Sequence, residues 1–131
     1  MNAYAAAPGA FSAYKESSVL TAPPERLVLM LYDGIHRFLT QSAAAMRGGD
    51  LQTANTRMQR AEAIIDELMA TLDHSAGQVA DRLNSIYLYS RRTLGEARIE
   101  RNPDKIDHVN KLLGELREAW AQICASGAGA E

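Results

Sequence analysis

A disulfide framework is excluded at once, because the 131 residues contain a single cysteine, Cys124, with no second thiol to pair with. That usage suits a reducing compartment. A strong charge of either sign is also missing: the formal net charge is −2, which leaves no broad basic surface for nucleic acid or anionic membrane. No apolar run approaches the roughly 18 residues of a membrane span. The opening MNAYAAAPGAFSAYKES lacks a basic n-region, and Pro8-Gly9 interrupts its alanines before they reach signal-peptide length. A cytoplasmic protein without membrane insertion is expected. There is no glycine-rich phosphate loop, and no stretch alternates with period two for long enough to make a strand.

Apolar periodicity at helical spacing is what the sequence does have. Leu51, Ala54, Met58, Ala61, Ile65, Leu68 and Leu72 follow one another in steps of three and four, the seam of a bundle helix. Asp50 caps that helix, and Gly48-Gly49 ends the one before it. The preceding helix runs from about Ala22 to Met46, with Thr21 as N-cap, Pro23-Pro24 in the first turn and an inward stripe of Val28, Leu31, Ile35, Phe38 and Ser42. A third helix spans about Gln78 to Glu100, with Val79, Leu83, Ile86, Leu94 and Ala97 inward. Asn102-Pro103 then opens a fourth, carrying Ile106, Val109, Leu113, Leu116, Trp120 and Ile123. Four such helices joined by short loops predict an all-α, antiparallel up-down four-helix bundle over residues 21–125. Residues 1–20 read as a mobile arm able to carry a short extra helix around Phe11 to Lys15, and 126–131 as a frayed tail.

Two segments fit the bundle poorly. In LVLMLY, residues 27–32, the side chains of Leu29 and Met30 fall well off the inward stripe at about 100° per residue. In IYLY, residues 86–89, Leu88 and Tyr89 do the same. A helix that is apolar all round needs a second cover: the aromatic arm, a second copy of the chain, or another protein. Gly34, in mid-helix, either lets another backbone approach or relieves crowding against a neighbouring helix.

Other chemistries find weaker support. Asp33 and His36 have the i, i+3 spacing of carboxylate-bridged metal bundles, but the motif occurs once and no inward glutamate accompanies it. His36 on a four-helix bundle also invites a phosphorelay reading, yet HRFLT, residues 36–40, lacks the lysine and glycine expected beside such a histidine. His74 and His108 read as loop and helix-start residues. Arg91, Arg92, Arg98, Arg101 and Lys105 suit a helix C-terminus. No cofactor, metal or catalytic residue is expected.

The segments Tyr14-Lys15-Glu16-Ser17-Ser18-Val19, Thr21-Ala22-Pro23-Pro24-Glu25 and Leu29-Met30-Leu31-Tyr32-Asp33-Gly34 together resemble the FliS family of flagellar secretion chaperones. The likeness continues through AEAIIDEL at 61–68, Ile86-Tyr87-Leu88-Tyr89 with Arg92 and Leu94, and Leu116-Arg117-Glu118-Ala119-Trp120. Pro23 stands where the family usually has serine or threonine. The resemblance implies a non-enzymatic cytosolic chaperone that binds the C-terminal segment of flagellin, blocks its premature polymerisation and helps deliver it to the flagellar type III export gate. The candidates for the flagellin groove are the off-stripe Leu29, Met30, Leu88 and Tyr89, joined by Tyr32, Gly34 and Tyr87 from the matching motifs. Phe11 and Tyr14 would lie on an arm that competes for the groove or clamps its occupant. A co-chaperone or anti-sigma factor is a further partner that the resemblance allows, and the free protein is expected as a monomer or weak homodimer.

Overall fold

The computed structural model describes residues 24–126, so the expected arm, the Thr21 cap and the tail beyond Ser126 lie outside the described residues. Four long helices follow one another: α1 Pro24–Arg47, α2 Leu51–Ala70, α3 Gln78–Glu100 and α4 Pro103–Ser126, with a short 3₁₀ turn at His74–Ala76 before α3. No strand occurs among the described residues, and the bundle is all-α as the periodicity predicted.

Local chemistry sets the boundaries. Gly49, at φ 81°, reverses the chain after α1, and the amide of Asp50 bonds the Ala45 carbonyl at 2.9 Å. Asp50 then accepts the Thr53 amide at 3.1 Å and so caps α2. At the end of α3, Arg101 takes a left-handed conformation, φ 53°. The amide of Asn102 reaches back to the Ala97 carbonyl at 3.0 Å, and its side chain caps Asp104 at 3.0 Å. Pro103 fills the first position of α4, where an amide hydrogen would have no partner.

The helices form a ring in which α1 packs extensively on α2 and α4, while α3 closes the circle against the same two with thinner contacts. Helices α1 and α3 are therefore diagonal. They meet deep in the core, where the hydroxyls of Tyr32 and Tyr87 share a hydrogen bond of 2.5 Å. The seam read for α2 holds in full from Ala54 to Leu68, whose residues in the stripe are completely buried, with Leu51 half-buried at its start.

The stripes of the other helices needed correcting. In α3 the inward line is Ala80, Tyr87, Ser90, Leu94 and Ala97, with Thr93 beside it, while Val79 is 57% exposed and Leu83 and Ile86 are only half-buried. Two hydroxyls concealed that phase. The Ser90 hydroxyl can be buried because it bonds the Ile86 carbonyl at 2.8 Å within its own helix. In α1, Leu39 takes the central place expected of Phe38. Phe38 lies at the flank, half-buried, with the guanidinium groups of Arg37 and Arg60 over its ring at 4.9 and 6.0 Å. In α4, Ile106, Val109 and Leu113 are buried, whereas Ile123 is 39% exposed.

The thinner joint between α2 and α3 carries ions. Glu62 of α2, buried, receives Arg98 Nη2 at 2.6 Å and lies 2.7 Å from Arg91 Nη1, and Arg91 also bonds Asp66 at 2.8 Å. The Arg91 contact lies off the hydrogen-bonding axis, so Glu62 Oε2 is held there by charge alone. The arginines assigned to the helix terminus are thus partly interhelical clamps. Lys105 does serve the end of α3, bonding Glu96 and Glu100 at 3.0 Å each.

Candidate functional site

The residues expected to form one groove divide between the interior and the surfaces of two diagonal helices. Tyr87 is completely buried, Tyr32 nearly so, and both occupy the centre of the bundle. Gly34 is also enclosed: a Cβ there would stand 3.1 Å from Ile64 Cδ1 of α2, so the glycine lets α1 and α2 come together. Leu29 and Met30 are half-buried on α1. Leu88 and Tyr89 are 52% and 39% exposed on α3. The first pair thus belongs to α1 and the second to α3, helices that are diagonal in the ring.

Two features escaped sequence reasoning. Ile99, 84% exposed, lies three turns after Leu88 and within about 20° of it around α3. Tyr89 flanks this outer face, held at 2.8 Å by His108 and lying under the Arg92 guanidinium at 5.9 Å. The eleven-residue spacing from Leu88 was the available signal. The second feature is a cleft of about 240 Å³ between α1 and α4, lined by Tyr32, Ile35 and Leu113 with Gly114 on its α4 wall.

Polar bridges bound that cleft at both ends. Asp33 accepts Arg117 Nε at 3.0 Å, and His36 Nδ1 donates to Asn110 Oδ1 at 3.0 Å. Asn110 donates in turn to the Thr40 hydroxyl at 3.1 Å. The hydrogen bond that Arg117 donates to Asp33, offset by partial burial and aided by Glu118, holds its guanidinium above its ordinary pKa. Asp33 and His36 thus both turn to α4 partners. Among the described residues no group of three His, Cys, Asp or Glu could hold a metal ion, and no helix is long and apolar enough to cross a membrane.

Mid-helix glycines separate these surfaces by purpose. Glycine inside a helix costs about 1 kcal/mol relative to alanine. Gly34 offsets that by admitting Ile64. At Gly95 and Gly114 an added methyl group would meet no atom within 4 Å, so packing within the described chain does not require them.

An antiparallel helical bundle that keeps apolar side chains outside its core on α3, with a cleft between α1 and α4, is the class of protein these features define. The family model for flagellar protein FliS matches residues 7–127. Flagellar secretion chaperone FliS of Campylobacter jejuni is 34% identical over 115 residues, covering 87% of this chain and 90% of the relative. The same-named proteins of Bacillus subtilis and Salmonella typhimurium are 32% and 34% identical, with 88% and 82% of this chain covered and 86% and 82% of theirs. The chain belongs to the FliS family, a family of chaperones and not of enzymes.

Proposed function

We propose that this chain binds the C-terminal segment of flagellin in the cytosol, keeps it from polymerising and delivers it to the flagellar type III export gate. The observation that carries this reading is the surplus of apolar side chains outside the core, exposed at Leu88, Tyr89 and Ile99 on α3 and half-buried at Leu29 and Met30 on the diagonal helix α1. A folded client would meet one flank. An extended chain can wrap both, spending conformational entropy as it orders and so needing wide apolar contact for modest affinity per unit area. Modest affinity suits a cargo that must be released. Phe11 and Tyr14 act in this reading as an internal competitor that lowers apparent affinity by the fraction of time the surface is closed. A co-chaperone or anti-sigma factor would contend for the same apolar flanks.

The test is calorimetric titration of the protein with the C-terminal segment of flagellin from the same cell. One-to-one binding with a negative heat-capacity change is expected, weakened by Met30→Glu on α1 and independently by Leu88→Glu on α3. Leu88 is exposed enough for its variant to fold. Absence of binding by the wild type would refute the reading, and full binding by both variants would refute the two-flank surface.

A further inference from the structure

Asn110, Gly114 and Arg117 lie on one face of α4 at steps of four and three. The first and last reach across to His36 and Asp33 of α1. Gly114, between them, is a missing rung. Its helical backbone has no positive φ, and a methyl group there would meet nothing within 4 Å. The glycine therefore serves neither a turn nor a close approach, and what it leaves is the cleft floored by Tyr32, Ile35 and Leu113.

The geometry points to this cleft as a socket for one bulky aliphatic side chain of the client segment, with a lysine or arginine of that segment one helical turn away meeting the exposed side of the Asp33 or Glu118 carboxylate. The inference rests on the reading that the chain binds a flagellar client, and it names where and through what chemistry. Size supports it: a cavity of about 150 Å³ admits benzene, so about 240 Å³ takes one side chain and not a whole helix. Charge supports the neighbouring cation. Arg117 is met by two carboxylates, Asp33 Oδ1 and Glu118 Oε1, each at 3.0 Å, which leaves the edge one negative charge in excess. Both carboxylates are more than half exposed and so open to another donor.

The experiment titrates the flagellin C-terminal segment into the full-length wild type, Gly114→Leu, Glu118→Gln and, as control, Glu115→Leu on the exposed side of α4. Filling the socket should weaken binding about tenfold, the scale of one lost aliphatic anchor, while the control stays within about twofold. Glu118→Gln should cost about threefold and flatten the salt dependence, as loss of one exposed charge contact does. Should Gly114→Leu not fold, Gly114→Ala carries the same test, with Tm raised by about 2–6 °C and affinity reduced. Wild-type binding with an unaffected Gly114→Leu overturns the socket and leaves the proposed function standing. Tighter binding by Gly114→Leu would assign the cleft to the chain's own N-terminal residues, and it also overturns the proposal. No wild-type binding removes both.

Discussion

Replacing Glu62 by alanine should be among the most damaging single changes to a charged residue in this protein. Each guanidinium that meets Glu62, from Arg98 at 2.6 Å and Arg91 at 2.7 Å, gains about 4 kcal/mol of gross attraction at charge centres about 4 Å apart and an effective dielectric of about 20. Desolvation of a carboxylate left 8% exposed cancels much of that. Removing one partner from a buried pair nevertheless costs about 3–5 kcal/mol, because the other charge is stranded. Two features lower the figure here. Arg91 retains Asp66 at 2.8 Å, and both arginine side chains are about one-third exposed, 35% and 33%, so water can reach them. The expected loss is about 2–3 kcal/mol, read as the change in urea-unfolding free energy with an unchanged m-value. Glu62→Met combined with Arg98→Met should recover most of it, since an apolar pair can replace a buried ionic one. A loss below about 0.5 kcal/mol for Glu62→Ala would put this trio in the class of solvated surface pairs and refute its role in joining α2 to α3.

Three further outcomes follow from individual contacts. Gly34→Ala should be nearly neutral, since the helical gain of about 1 kcal/mol meets Ile64 Cδ1 at 3.1 Å; in an Ile64→Val background, which removes that atom, the same change should stabilise, as a double-mutant cycle in urea would show. Hydrogen bonds from Thr53 hold the Asp50 carboxyl below its ordinary 3.8, so the cap stabilises α2 above that value and its contribution fades as pH falls through the lower folded value; the Tm gap between wild type and Asp50→Ala should narrow below about pH 4. Burial first, and then the charge of Glu25, push the Cys124 thiol above its ordinary range, so a disulfide reagent at pH 8 should react more slowly with the native protein than with the urea-unfolded chain.

Legibility in the sequence tracked how far each helix follows a two-letter pattern. The α2 stripe is apolar throughout, and its reading matched the structure. The α3 stripe contains Ser90, whose hydroxyl is satisfied within its own helix, and polarity at that position moved the inferred phase toward Val79. Leu88 and Tyr89 were still rightly placed off the core, because no rotation of the helix buries four consecutive residues. Sequence could not tell which off-stripe residues share a flank, since that depends on α1 and α3 being diagonal, a relation set by packing among all four helices. The cleft was invisible for a related reason: Gly114 and Asp33 are far apart in sequence, and only the α1–α4 packing makes a gap in one helix into a recess between two. Glu62 had a signal that went unused, arginines seven apart on α3 facing acids four apart on α2.

The only tryptophan in the chain, Trp120, donates its indole hydrogen to the Glu25 carbonyl at 2.9 Å, bonding the last turns of α4 to the first turn of α1. The bundle therefore carries an intrinsic fluorophore at the pole from which residues 1–23 depart. Its emission wavelength and quenching by iodide report on that corner alone, so events at the N-terminal junction can be followed optically in the unlabelled protein, separately from anything that happens along the outer face of α3.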